Sequence, residues 1–240
     1  MPAPRKRRIS RKLAIALAVA LAVILLPSPL VIRAFLVQPF SIPSGAMMPT
    51  LLIGDYIFVD KSAYGYTNYS LPYAPRLFPG RVLPSEPQRG DVVVFRLPKD
   101  ERTDYVKRVV GLPGERIRMR SGELYINGTA VKRERVDDFL DEQNGRQVRV
   151  KRWRETLPNG VSYETLDLQD NGFLDNTPEY IVPPGHYFML GDNRDNSTDS
   201  RVLSQVGYIP ADHLIGRVMK IFWSAENGET RYDRIGKIVK

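Results

Sequence analysis

The chain of 240 residues contains no cysteine and only two histidines. Without cysteine there is no disulfide framework, no thiolate nucleophile and no cysteine-rich zinc site. His186 and His213 are too few for a histidine-rich metal centre, and a serine–histidine–aspartate triad would need one of them beside a suitable serine. We therefore expect no metal and no cofactor, and we interpret both histidines as ordinary loop or surface residues.

The body of the chain also lacks an excess of charge, although the formal net charge is +8. Residues 1–12 contain six basic residues and no acidic one, whereas the rest of the chain holds 29 basic and 27 acidic residues. The body of the chain therefore lacks the basic excess that is typical of a nucleic-acid-binding domain. Because the excess lies in a short N-terminal tail, we expect no nucleic-acid partner.

One long apolar segment follows the basic tail. Residues 13–32 include no charged residue, and at about 1.5 Å per residue a helix of this length spans roughly 30 Å, one bilayer core. The segment is apolar all round and longer than the apolar core of a cleaved signal sequence. Positive charges before a single span predict a cytoplasmic N-terminus. We therefore predict a cytoplasmic tail at 1–12, a transmembrane anchor at 13–35 and an exported domain at 36–240.

The exported part has little helical periodicity and many short strand patterns. Runs rich in β-branched and aromatic residues predict strands at residues 56–59, 91–97, 105–112, 116–119, 187–190 and 214–223. Asn127 and Gly128 are the predicted turn of a hairpin over 123–131, because both central positions of a type I′ turn require positive φ. The sequence therefore predicts a mainly β fold built on an antiparallel sheet.

Two segments differ from the rest of this domain. Residues 121–184 are richer in charged and polar residues and in turns, and we predict that they form an inserted cap outside the main core. Residues 62–80 combine four tyrosines with prolines and glycines. Amphipathic rings favour the membrane interface, so this segment is predicted either to contact the bilayer or to pack along a long hairpin, and both interpretations stay open.

Four short motifs stand out in the exported part: SIPSGAMMPTLL at 41–52, RGDVVVF at 89–95, YVKRVVGLPGE at 105–115 and GDNRDNSTDSR at 191–201. In this order, and behind an apolar anchor, they closely resemble the conserved boxes of bacterial type I signal peptidases. The resemblance covers the anchor and most of the β domain but not residues 121–184. It implies a catalytic β fold of the kind also found in self-cleaving repressors. It further implies an endopeptidase of the cytoplasmic membrane that cuts exported preproteins after small-x-small sites.

The resemblance also assigns catalytic roles. The family's first box has the pattern P-S-x-S-M-x-P-T-L, in which the serine before methionine is the nucleophile, and this chain has Ala46 at that position. By resemblance Lys107 is the general base, Ser197 orients its amine, and Ser44 helps a backbone N–H to stabilise the oxyanion. No histidine takes part in this serine–lysine dyad.

Further residues receive supporting roles by resemblance. Phe40, Ile42 and Val106 are expected to line the shallow pockets for the small side chains of the signal peptide. Asp199 and Arg201 are expected to form a structural ion pair, and the polar residues before them, Asp192, Asn193, Asp195 and Asn196, to supply turns and backbone hydrogen bonds.

A lysine base must lose its proton before it can accept one from serine. Free lysine has a pKa near 10.4, and burial lowers this value because it disfavours the ammonium form. Strand alternation places Lys107 on one face with Tyr105 and Val109, and it turns Arg108 to the opposite face. The expected surroundings of Lys107 are therefore apolar.

Ala46 removes one hydroxyl at the position where the reaction needs it. We interpret it as an engineered inactivation, because Lys107 and the 191–201 motif are intact, while a natural pseudoenzyme that binds signal peptides without cutting them stays open. A self-cleaving repressor is disfavoured because an apolar span stands where a DNA-binding head would be. The expected partners are signal peptides and the phospholipid bilayer, with the catalytic domain in the periplasm or its equivalent.

Overall fold

The computed structural model describes residues 36–71, 74, 77–143 and 146–240. The predicted cytoplasmic tail and transmembrane anchor lie outside these residues. Within the described part, no helix is long and apolar enough to cross a membrane.

The described residues form sixteen strands and four short 3₁₀ helices. The first eight strands are β1 Val37–Ser41, β2 Asp55–Asp60, β3 Val92–Arg96, β4 Asp104–Gly111, β5 Arg116–Arg120, β6 Glu123–Ile126, β7 Thr129–Ala130 and β8 Lys132–Arg135. The others are β9 Phe139–Gln143, β10 Arg146–Thr156, β11 Ser162–Asp167, β12 Tyr180–Ile181, β13 His186–Leu190, β14 Ile209–Pro210, β15 Leu214–Glu226 and β16 Glu229–Thr230. The 3₁₀ helices are Gly45–Met47, Asn68–Ser70, Ala211–His213 and Tyr232–Arg234. The predicted mainly β fold is confirmed, and each predicted strand overlaps an observed one.

The main sheet is antiparallel and has the strand order β1-β2-β15-β3-β4-β13-β14, with β16 paired to β15. The sequence of β3 is apolar without alternation because both faces of this strand are buried. Val92 and Val94 belong to one hydrophobic cluster, and Val93 and Phe95 belong to another. Because successive side chains of a strand point to opposite faces, both faces of the sheet are covered at β3.

Two smaller sheets come largely from the segment predicted to be a cap. One has the order β12-β5-β6-β7, and the other has the order β11-β10-β8 with β9 also paired to β10. Buried residues of the first sheet, with Tyr163 of the second, share a hydrophobic cluster with Val110, Phe188 and Leu190 of the main sheet. Val150 and Leu166 of the second sheet cluster instead with Met48. The segment therefore packs directly on β4 and β13.

The β6–β7 hairpin forms as predicted. Asn127 and Gly128 have φ values of 52° and 82°, the positive values that a type I′ turn requires. The strands β8 to β11 were not predicted, because they are rich in arginine and glutamate and show little apolar alternation. Their backbones pair in antiparallel ladders, and ion pairs such as Arg152–Glu164 at 3.1 Å lie on a partly exposed face.

The tyrosine-rich segment 62–80 packs partly against the body of the protein. Tyr64 is 2% exposed and donates a hydrogen bond from its hydroxyl to Asp91 Oδ2 at 2.8 Å. The ring of Tyr69 lies 4.8 Å from the ring of His213. His213 is buried rather than on the surface, and its Nδ1 is hydrogen-bonded to the carbonyl of Arg96 at 3.0 Å. These contacts favour the packing interpretation for this part of the segment.

Candidate active site

The turn that contains Ala46 is built by the first motif and held by the last. It is the 3₁₀ helix Gly45–Met47, in the connection between β1 and β2, and all three residues are buried. The backbone N–H of Asn193 donates to the Ala46 carbonyl at 3.1 Å. The Asn193 side-chain amide donates to the Gly45 carbonyl at 3.0 Å. Two motifs separated by about 150 residues in sequence are therefore fixed to each other at Ala46.

Gly191 allows this close approach. A Cβ at this position would lie 2.2 Å from Ser197 Oγ and 2.7 Å from the Ala46 carbonyl oxygen. Neither distance is compatible with a side chain, so only glycine fits between the two. The same observation places the Ser197 hydroxyl and the Ala46 carbonyl close to each other beside Gly191.

Lys107 lies on β4, which contacts the Gly45–Met47 helix. Lys107 is 4% exposed. Its Nζ donates a hydrogen bond to the Val106 carbonyl at 3.1 Å and lies 5.2 Å from the centroid of the Tyr105 ring. Among the described residues, no carboxylate lies within ion-pair distance of this amine. Lys107 is therefore buried next to Tyr105, on the face of β4 that strand alternation predicts.

Burial is the main influence on the protonation of Lys107. It lowers the pKa of the amine, and it outweighs the more distant Asp199 and Asp192, which raise that pKa, while Arg201 lowers it further. The net pKa is below the ordinary lysine value. A larger fraction of this amine is therefore neutral near pH 7 than for an exposed lysine.

Ser197 is buried next to Gly191 of its own motif. Its Oγ forms no hydrogen bond with a described atom, so the expected bond between Ser197 and the Lys107 amine is not present. Burial would raise the pKa of Asp199, but the ion pair with Arg201 prevails and the pKa is lowered. Arg201 contacts both carboxylate oxygens of Asp199 at 2.8 Å, which is the ion pair expected for this loop.

Ser44 precedes the turn in an extended conformation, with φ −132° and ψ 154°. It is exposed, and its side chain makes no capping hydrogen bond to the 3₁₀ helix. The hydroxyl at the entrance of the turn is therefore accessible from solvent.

The three residues expected to line the substrate pockets come together in the structure. Ile42 is buried in the hydrophobic cluster on one face of the main sheet, and Phe40 and Val106 pack against that cluster while staying half-buried. Phe40 lies on β1 and Val106 on β4, next to Lys107. A partly open apolar surface therefore borders the site.

Two backbone edges beside the site have no strand partner in the described residues. Strand β1 pairs only with β2 and forms one end of the main sheet. Strand β4 pairs with β13 from Arg108 to Gly111, whereas Tyr105 to Lys107 pair only with β3. An extended peptide can hydrogen-bond to edges of this kind.

Arg108 occupies the opposite side of β4, as predicted, but its burial and its partner were not anticipated. Its side chain is fully buried and forms an ion pair with Asp192 at 2.6 Å. It also donates to the carbonyls of Gly90 and Lys240 at 2.8 and 2.9 Å. Asp192 supplies a backbone hydrogen bond as expected, because its carbonyl accepts from Leu166 N–H at 2.9 Å, but the pairing of its carboxylate with Arg108 was not predicted. Asp195 accepts from backbone N–H groups, as expected.

Sequence reasoning also missed two residues from the segment 121–184, Glu155 and Tyr163. Glu155 forms a fully buried ion pair with Arg194 of the last motif at 2.5 Å, and the Tyr163 hydroxyl donates to the same carboxylate at 2.9 Å. A glutamate within an arginine-rich strand was the only signal. In the described part of the chain, no group of three or more histidine, cysteine, aspartate or glutamate residues is arranged to hold a metal ion.

Comparison with known proteins gives consistent matches. The family model described as signal peptidase, peptidase S26, matches residues 11–223. The chain is 42% identical over 205 residues to a signal peptidase I of Rickettsia typhi, covering 82% of this chain and 76% of that protein. It is 41% identical to a signal peptidase I of Rickettsia prowazekii with the same coverage. A crystal structure of a signal peptidase I from Enterococcus faecalis is 28% identical, with 55% of this chain and 97% of that one covered and a TM-score of 0.33.

Proposed function

The chain belongs to the signal peptidase family, peptidase S26, and from this premise we propose that it is built to remove signal peptides from exported preproteins with a serine–lysine dyad. We propose further that the present sequence is an inactive form, because Ala46 stands at the nucleophile position. The observation that carries the proposal is the buried Lys107, unpaired with any described carboxylate, on the strand that contacts the Ala46 turn.

With serine at position 46, the reaction would proceed in two steps. Neutral Lys107 accepts the hydroxyl proton as the serine oxygen attacks the scissile carbonyl, and it then gives that proton to the leaving amine. The same amine then takes a proton from water, which attacks the acyl-enzyme ester. As the bond between the acyl carbon and the serine oxygen breaks, the amine returns its proton to that oxygen, which restores serine and releases the signal peptide as a carboxylic acid. The free Ser197 hydroxyl would orient the amine.

The oxyanion of each tetrahedral intermediate needs donors fixed in place before the reaction. We assign the backbone N–H of residue 46 and the exposed Ser44 hydroxyl to this role. The two hydrogen bonds from Asn193 to the carbonyls of Gly45 and Ala46 support the assignment, because they hold the turn rigid.

The substrate is proposed to bind as an extended strand between β1 and the unpaired part of β4. Its small side chains before the cut would then face the apolar surface of Phe40, Ile42 and Val106. Shallow apolar pockets disfavour long and charged side chains, which fits cleavage after small-x-small sites.

We propose that the protein acts at the bacterial cytoplasmic membrane. The basic tail 1–12 would stay in the cytoplasm, residues 13–35 would cross the bilayer, and 36–240 would form the periplasmic catalytic domain with the cap at 121–184. An anchor in the bilayer that also holds the signal peptide raises the effective concentration of enzyme and substrate.

A second candidate is favoured by Ala46 itself. A protein that retains the peptide-binding surface but lacks the nucleophile would bind signal peptides without cutting them. Whether Ala46 is engineered or natural decides between an inactivated enzyme and a natural pseudoenzyme.

Cleavage of a preprotein with an A-x-A site by the Ala46→Ser protein in detergent tests the proposal. We expect cleavage after the second alanine by the serine form, at a rate about 10⁶ above that of the Ala46 form. If the serine form binds the preprotein but does not cut it, the binding protein becomes the better account.

A further inference from the structure

Two side chains of the β10–β11 hairpin form a buried polar network with the 191–201 loop. Glu155 is 0% exposed and Tyr163 is 6% exposed. Arg194 Nη1 and Nη2 donate to the two carboxylate oxygens of Glu155 at 2.8 and 2.5 Å. The Tyr163 hydroxyl donates to Glu155 Oε2 at 2.9 Å and accepts from Arg194 Nη2 at 3.2 Å.

Arg194 lies in the loop that contains Ser197 and makes further hydrogen bonds within it. Its Nε donates to the Gly191 carbonyl at 3.3 Å, and its own carbonyl accepts from Arg201 Nη2 at 2.6 Å. Arg201 is also the partner of Asp199. Glu155 therefore binds Arg194, and Arg194 in turn is hydrogen-bonded to Gly191 before Ser197 and to Arg201 after it.

The backbone of β11 extends the same attachment. Leu166 N–H donates to the Asp192 carbonyl at 2.9 Å, and Arg194 N–H donates to the Leu166 carbonyl at 3.0 Å. These bonds form a short parallel bridge at Asn193, the residue that holds the Ala46 turn. The hairpin thus supports the loop with main-chain as well as side-chain contacts.

Tyr163 contacts the element that contains Lys107 as well. Its ring lies under the guanidinium of Arg108, with the guanidinium carbon 4.1 Å from the ring centroid. Arg108 follows Lys107 directly on β4. The ring of Tyr163 therefore contacts β4, the strand of Lys107. Its hydroxyl contacts Arg194, in the loop that contains Ser197.

A buried ion pair is a poor source of stability, because removing two charges from water costs about as much as their attraction returns. What a network of this kind supplies is a defined geometry with directional hydrogen bonds. We propose that Glu155 and Tyr163 are positioning residues that fix Ser197 and the Ala46 turn relative to Lys107. The proposal rests on the proposed function and gives the segment 121–184 a role in catalysis.

The test compares variants made in the Ala46→Ser protein in detergent, with an A-x-A preprotein as substrate. Tyr163→Phe removes only the hydroxyl, and Glu155→Gln removes the charge that Arg194 faces. We expect kcat per folded molecule to fall by about tenfold for Tyr163→Phe and by about a hundredfold for Glu155→Gln, because small displacements of reacting groups reduce rates strongly. KM should stay within about twofold, since neither residue belongs to the Phe40, Ile42 and Val106 surface.

Glu164→Gln is the matched control. Glu164 neighbours Tyr163 on β11, and its carboxylate pairs with Arg152 and Arg154 at 3.1 and 3.3 Å on a more exposed face. Its kcat and KM should equal those of the Ala46→Ser protein. The folded fraction of each variant is measured by circular dichroism at the assay temperature, so that a purely structural effect does not appear in kcat.

The outcomes separate the two proposals. If the Ala46→Ser protein itself does not cut, the proposed function is wrong and the positioning role is wrong with it. If that protein cuts and Tyr163→Phe and Glu155→Gln keep their kcat per folded molecule, only the positioning role is overturned. A rise in KM at constant kcat also overturns it, because the hairpin would then serve substrate binding. If Glu155→Gln does not fold, the milder Tyr163→Phe decides alone.

Discussion

Lys107 and Arg108 are neighbours on β4, and both basic side chains are buried. They differ in the partners that each side of the strand provides. Arg108 meets the Asp192 carboxylate, the hydroxyl of Thr50 and two backbone carbonyls. The Lys107 amine has one hydrogen bond, to the carbonyl of Val106, and no carboxylate partner in the described residues. The Asp192 carboxylate compensates for the burial of the Arg108 charge. The Lys107 amine has no such partner, so its burial lowers its pKa.

This difference shows how one strand holds a permanent cation and a proton acceptor side by side. A guanidinium stays charged in proteins, so its burial requires full pairing. An amine can respond to the same burial by losing its proton. The side of Arg108 therefore contributes to structure, and the side of Lys107 contributes to the proposed chemistry.

The largest effect should come from Lys107→Met in the Ala46→Ser protein. Methionine fills a similar volume but accepts no proton, so we expect the cleavage rate to fall by about 10⁴. The unfolding free energy should stay the same or rise, because an amine without a carboxylate partner is removed from the interior. Cleavage assays and urea unfolding measure the two quantities, and a rate within tenfold of the parent would remove Lys107 from the mechanism.

Arg108→Met makes the same substitution one residue further along and, unlike Lys107→Met, should lower the unfolding free energy. It leaves Asp192 buried without its partner, which should cost about 3–5 kcal/mol of unfolding free energy. Adding Asp192→Asn should recover part of that loss. If urea unfolding shows equal stability for Arg108→Met and Lys107→Met, the contrast between the two sides of β4 is wrong.

The pH dependence of the unfolding free energy should also show the lowered pKa of Lys107. Because the pKa of Lys107 is lowered in the folded protein, the unfolded chain holds a proton that the folded one lacks between that lowered value and about 10.4. Stability from this residue therefore rises with pH across the window and is lowest below the folded-state pKa. Urea midpoints measured from pH 7 to pH 10 should rise more for the Ala46 protein than for its Lys107→Met variant. Parallel curves would contradict the lowered pKa.

Thr50→Val should produce the smallest effect. The Thr50 hydroxyl donates to Asp192 Oδ2 at 2.5 Å and accepts from Arg108 Nη2 at 3.3 Å. Its loss should lower the unfolding free energy by about 1–2 kcal/mol without changing cleavage by the Ala46→Ser protein by more than about twofold. A large loss of cleavage at unchanged stability would instead link Thr50 to the chemistry.

The sequence predicted the neighbours of Lys107 on its face of β4 better than the partners of Arg108. Alternation along β4 placed Lys107 with Tyr105 and Val109, and positive-φ residues predicted the turn at Asn127 and Gly128, because both are local properties. The partner of Arg108 is 84 residues away in sequence, and no local pattern indicates that pairing.

The same reason explains why the contribution of the segment 121–184 was missed. Glu155 looks like one charge among many in an arginine-rich strand, and Tyr163 looks like an ordinary strand residue. Their burial appears only when β10 and β11 pack against the 191–201 loop. The four motifs were recognisable from sequence, whereas the buried contacts of Glu155 and Tyr163 with the 191–201 loop were not.

The pKa of the Lys107 amine, measured directly, tests the central claim. The Ala46 protein in detergent, with ¹³C-labelled lysine side chains, can be titrated by NMR, and the Lys107 signal is assigned by its absence from the Lys107→Met variant. We predict that this one amine titrates well below the ordinary lysine value near 10.4 while exposed lysines titrate close to it. A Lys107 signal that titrates with the exposed lysines would contradict the account, because the amine would then be protonated at the pH where the proposed dyad must accept a proton.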